Sequence, residues 1–113
     1  MGLTTFGFAQ QEITLADAGK FVGQTVKVCG KIYGGRFLDR TPKQLTLLNM
    51  GADYPNQLLT IMIEGEKRKT FSYKPEEKLV QKEVCVVGII KEFRGKYEII
   101  VEKEGDISIK EQP

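Results

Sequence analysis

The 113-residue chain contains no histidine and no tryptophan, and only two cysteines. Without histidine it lacks the side chain that most often serves as general acid, general base, nucleophile partner or metal ligand near neutral pH. Two cysteines far apart in the chain cannot by themselves hold a zinc ion. No GxGxxG, phosphate-binding loop or nucleophile elbow occurs. The carboxylates Glu76, Glu77, Glu102 and Glu104 form no convincing acid/base pair, since neighbours on a helix point in different directions. The composition therefore points away from an enzyme and implies no cofactor and no metal. There is also no apolar run long enough to span a membrane.

What remains is ordinary for a single small domain: 41% apolar and 28% charged residues, and a net charge of +2. That small net charge is unevenly placed. Residues 27–43 carry Lys27, Lys31, Arg36, Arg40 and Lys43 against Asp39, a net of +4. Residues 91–97 carry Lys91, Arg94 and Lys96 against Glu92, a net of +2, whereas residues 98–113 sum to −3. Positive charge is thus concentrated in two short segments, which read either as solvated loops or as contacts for an anionic partner.

The first residues, MGLTTFGFAQQ, are uncharged and rather apolar. They lack the basic start and the length of a complete signal peptide, but Gly7 and Ala9 are spaced as at a cleavage site. Residues 1–12 are expected to be a disordered terminus or the remnant of a signal peptide, with the folded domain spanning 13–110. The remnant reading implies export to the periplasm or beyond; the alternative is a cytoplasmic protein.

The spacing predicts a short helix over 14–23, with Thr14 capping Asp17, one apolar face of Leu15, Ala18 and Val22, and Gly23 as a left-handed stop. From Thr25 the period changes to two, with Val26, Val28 and Ile32 on one face and Lys27, Cys29 and Lys31 on the other. Gly30 interrupts the inward row, as at a bend or a close backbone approach. Further strands are predicted over 45–50, 58–64, 83–91 and 97–102, and a short pairing segment over 106–109. Pro42 marks a turn, Pro75 opens a short helix or turn over 75–81, and Arg94-Gly95-Lys96 is a hairpin. The run Lys67-Arg68-Lys69 reads as a solvated loop, with a secondary phosphate contact as the alternative.

Three strands, a helical connection and two more strands, with a glycine-bent first strand, suit a closed five-stranded barrel. The stretches VKVCGKIYG, LLNMGADYPNQLLTIMI and KEVCVVGIIKEFRGKYEIIVEKEGDISI resemble small bacterial OB-fold domains of the nucleic-acid-binding, anticodon-binding type over residues 23–109. The resemblance implies an all-β, five-stranded Greek-key barrel with a short N-terminal helix and a short helix or turn between strands three and four. It also implies a ligand face on strands two and three flanked by the loops after strands one and four, which coincide with the two basic segments. The expected function is then non-enzymatic binding of single-stranded DNA or RNA. Phosphate contacts and base stacking would come from Tyr33, Arg36, Phe37, Arg40, Lys43, Lys91, Arg94 and Lys96. Tyr54, Phe93, Tyr97, Asn56 and Gln57 are weaker candidates. The alternative is an exported interaction or stress module that takes a protein, glycan or small ligand on the same face.

The barrel also gives the cysteines a relationship. The phrases TVKVCGKI and EVCVVGII become antiparallel neighbours, with Cys29 and Cys85 on the same outward face. A cross-strand disulfide is then feasible and would imply an oxidising compartment; the alternative is two separate, partly buried thiols.

Overall fold

The computed structural model describes residues 11–110; the signal-remnant reading of the first ten residues lies outside them. A short strand β1 (Gln11–Ile13) precedes a 3-10 segment (Leu15–Phe21) and the long strand β2 (Thr25–Phe37). Strands β3 (Thr46–Met50) and β4 (Leu59–Ile63) follow, then two single-turn helices, α1 (Gly65–Arg68) and α2 (Pro75–Lys78). The chain continues through β5 (Glu83–Phe93), β6 (Lys96–Ile100), a 3-10 turn (Glu104–Asp106) and β7 (Ile107–Ile109). Backbone pairing already begins at Gln11, opposite Val26, two residues before the expected domain start.

Strands β2, β3 and β4 form an antiparallel meander; β6 pairs parallel with β4 and antiparallel with β5, and β5 closes onto β2. This is the expected five-stranded Greek-key barrel. The period-two rows point inward as read: Val26, Val28, Ile32, Leu48, Met50, Ile61, Ile63, Val84, Val86, Ile90 and Ile99 are fully buried. Each such side chain contributes about 1.5–3 kcal/mol by leaving water.

Two glycines in these rows make the packing possible. At Gly30 a side chain would strike Leu15 and Met50, which fill the space instead. At Gly88 it would run into the carbonyl oxygen of Ile100 on β6, backbone that cannot step aside. β2 then changes register between Ile32 and Gly34, which lets its first half pair with β5 and its second half with β3. The extra residue bends the strand as a bulge does.

The N-terminal segment differs from expectation in pitch. It is a 3-10 helix, and the Asp17 N–H donates to the Thr14 carbonyl at 3.0 Å rather than to its side chain. With three residues per turn, position 21 rather than 22 returns to the packing face. Phe21 accordingly packs against the core with Leu15 and Ala18, while Val22 is 45% exposed. Gly23 does take the left-handed conformation, at φ +87°. The Pro75 helix is a single turn ending at Lys78, not at 81, and Gln81 itself sits at φ +71°.

Cys29 and Cys85 are direct partners in the β2–β5 ladder and are joined by a disulfide that spans 56 residues of sequence. Reduction, or replacement of both cysteines by serine, is expected to lower stability by about 2–4 kcal/mol, or about 10–20 °C in melting temperature. Thermal unfolding followed by circular dichroism with and without reductant measures this. Identical melting curves, or two alkylatable thiols in the native protein, would contradict it.

Candidate nucleic-acid interface

The barrel interior is filled, so any ligand face must lie outside it. Alternation along the strands puts two cross-strand rows on one outer surface. One row runs Gly34, Asn49, Thr60, Glu98 and Lys91; the next runs Arg36, Leu47, Met62, Ile100 and Ile89. A polar row thus lies beside a mainly apolar one.

A groove of about 850 Å³ opens over part of this surface. Its floor is made of Gly34, Gly35, Leu47, Asn49, Thr60 and Glu98. One wall comes from the β3–β4 connection, through Asp53, Tyr54, Pro55 and Gln57; the other comes from the β5–β6 hairpin, through Phe93, Arg94 and Lys96. Arg36 completes the lining from β2. The hairpin turns on Arg94 and Gly95, both at positive φ, as the type I′ turn requires. The Lys96 ammonium donates to the Pro55 carbonyl at 3.0 Å and ties one wall to the other. The first wall is held from within: Asp53 Oδ1 accepts from the Tyr54 N–H at 2.8 Å and from Asn49 Nδ2 at 3.2 Å.

Tyr54 and Phe93, one on each wall, are 72% and 57% exposed. The Arg94 guanidinium stands 5.1 Å from the Phe93 ring centre, within cation–π reach. Three cations and two open rings therefore share the groove with two carboxylates, Asp53 and Glu98.

Of the residues expected to bind, the fold brings Arg36, Arg94 and Lys96 together. Lys91 continues the polar row one strand beyond Glu98. Arg40 and Lys43 are exposed on the β2–β3 connection, which does not wall the groove; Lys43 instead borders a smaller hollow of about 260 Å³ with Glu64 and Glu66. Tyr33 stands outside the groove, with the Lys31 ammonium 4.9 Å over its ring. Phe37 is half-buried on the strand face opposite Arg36, away from the groove, and is covered by the Arg68 guanidinium at 3.6 Å. Tyr97 packs against the core, against the side of Gly19. Asn49, Thr60, Asp53 and Glu98 carry no signal of their own in the sequence. Their strand register, readable only once the pairings are known, is what places them.

The basic run Lys67-Arg68-Lys69 is not a solvated loop. Arg68 closes α1, and its guanidinium donates to Glu76 at 2.7 and 3.4 Å while lying on Phe37, with both charged side chains largely buried. Lys67 and Lys69 pair with Glu102 and Glu66.

No protein-family model matches the chain, and no curated protein matches it significantly. Solved structures do. The chain is similar to the S. pombe Stn1–Ten1 complex at a TM-score of 0.68 and 15% identity, over 94% of this chain and 82% of that one. It is similar to OBody AM1L10, solved bound to hen egg-white lysozyme, at 0.62 and 16% identity over 95% and 100% of the two chains. Asparaginyl-tRNA synthetase from Pyrococcus horikoshii is matched at 0.51 and 20% identity, over 80% of this chain but 20% of that chain. Likeness at these identities speaks to architecture, and the architecture is the OB fold.

Arg68→Ala leaves the Glu76 carboxylate without its partner and uncovers Phe37. It is expected to cost about 2 kcal/mol, less than for a fully buried pair because both groups keep some contact with water. Arg68→Lys, which lacks the planar fork, should recover less than half of that. Urea unfolding measures both; a loss below about 0.5 kcal/mol for the alanine variant, the usual range for a plain surface change, would contradict this role.

Proposed function

We propose that the protein is a non-enzymatic OB-fold module that binds single-stranded nucleic acid across this groove. The observation that carries the reading is the meeting of Arg36 from β2 with Arg94 and Lys96 from the β5–β6 hairpin and the exposed rings of Tyr54 and Phe93 in one groove. Cations that track phosphates and rings that stack on bases are the two means by which single strands are held without a duplex. In this reading Arg36, Arg94 and Lys96 take phosphates, while Tyr54 and Phe93 stack. Lys91, Arg40 and Lys43 contribute longer-range attraction. Tyr33 and Phe37 take no part.

The disulfide favours a second reading, an exported module with a protein, glycan or small ligand on the same groove, because such bonds persist in oxidising compartments. The OBody structure, with its lysozyme partner, is an example of a barrel of this architecture that engages a protein.

Fluorescence anisotropy with a labelled, T-rich decamer separates the two. Three phosphate contacts predict a log–log salt slope of about −2. The double variant Arg36→Glu/Arg94→Glu should weaken binding at least about tenfold at low salt. Absence of binding at about 20 mM salt, where the electrostatic term is strongest, would overturn the nucleic-acid reading and leave the second.

A further inference from the structure

On the reading just proposed, we infer that the groove floor selects guanine, with the Glu98 carboxylate accepting both hydrogen bonds of its Watson–Crick edge. The inference comes from which donors of the groove are already committed. The Asn49 amide nitrogen donates to Asp53 Oδ1, and since a carboxylate can only accept, the Asn49 carbonyl oxygen is left for a ligand. The Gln57 amide nitrogen donates to Thr60 Oγ1 at 3.2 Å, and Gln57 Oε1 is buried without a partner among the described residues. The Tyr54 N–H goes to Asp53 and one Lys96 donor to Pro55. Among the described residues, Asp53 Oδ2 and both Glu98 oxygens have neither a hydrogen bond nor an ion pair. The middle of the groove therefore holds uncommitted carboxylate oxygens beside neutral donors only, the second amide hydrogens of Asn49 and Gln57 and the Thr60 hydroxyl, while its charged donors sit at the rim on Arg36, Arg94 and Lys96.

A phosphate, itself an acceptor, is repelled by such a floor and belongs on the rim. The group that meets the two carboxylates must bring donors. Thymine offers one N–H between two carbonyls, and adenine and cytosine one amino group each beside a ring acceptor. Guanine alone presents N1–H and the 2-amino group side by side, two parallel donors that match one carboxylate as a fork, and it does so with charge assistance. Glu98 lies in the polar row between Thr60 and Lys91, within the floor, and is the better placed of the two carboxylates for that edge. Asp53, held by the turn, accepts from a neighbouring donor.

The test uses T-rich decamers that differ at one central base, T, G or inosine, titrated against the intact protein. Guanine should bind about tenfold tighter than thymine, the usual value of one bidentate pair. Inosine, which keeps N1–H but lacks the 2-amino group, should lose most of that gain. Glu98→Gln replaces one acceptor oxygen by a donor, and should bring the guanine-to-thymine ratio close to one. The ratio is the readout, so a uniform gain from removing a negative charge leaves the conclusion intact. Equal binding of the three decamers, within about twofold, would overturn guanine selection while sparing the nucleic-acid reading. Failure of all three to bind would overturn both.

Discussion

Barrel closure in this protein rests on one pairing, seven residues of β2 against seven of β5, from Thr25 opposite Ile89 to Lys31 opposite Glu83. Everything else follows from making two strands approach that closely while β2 also turns to meet β3. Gly88 lets the Ile100 backbone pass where no side chain would fit. Gly30 leaves room for Leu15 and Met50 to cap the same region. On the outward side of the ladder, Cys29 and Cys85 face each other and lock it covalently. A small barrel buries a limited core, so a crosslink at its closing seam adds stability where an opening motion would otherwise start.

Closure also determines where binding chemistry can reside. With the inward rows filled, the alternate residues of β3, β4 and β6 become an outer surface whose side chains line up across strands rather than along them. The β3–β4 connection and the β5–β6 hairpin rise on either side of it, and the Lys96–Pro55 hydrogen bond keeps their separation. The resulting groove is close to charge-balanced, with Arg36, Arg94 and Lys96 against Asp53 and Glu98. Balanced charge suits recognition in which phosphates and base edges are met by different parts of one surface, more than it suits tight, indiscriminate binding to a polyanion.

Much of the fold could be read in advance from period-two valines and from glycines that interrupt them. Val26/Val28 and Val84/Val86 mark the inward faces, and pairing the phrases around them in a barrel makes a Cys29–Cys85 bridge feasible, which the structure contains. A 3.6-residue period puts Val22 on the buried face, whereas the 3.0-residue period that the backbone takes puts Phe21 there. Arg68 reads as solvent-facing because its partners, Glu76 and Phe37, lie outside the basic run, and local charge density carries no trace of them. Phe37 reads as a stacking ring from sequence, but the register change after Ile32 puts it on the face opposite Arg36. The candidate site was half legible: charge counting found Arg36, Arg94 and Lys96, but it also gathered Arg40 and Lys43, which sit on a connection that does not wall the groove. The uncharged floor residues Asn49 and Thr60 carry no local signal and emerge from register alone.

The central claim is that this outer groove is where a single strand is held. Amide chemical-shift mapping tests it most directly, by titrating the isotopically labelled protein with a T-rich decamer that holds one guanine. The account predicts that the largest shifts fall on Gly34, Arg36, Asn49, Thr60 and residues 93–98. Shifts that cluster around Lys67, Lys69 and Ser72, or that scatter evenly over the barrel, would contradict it.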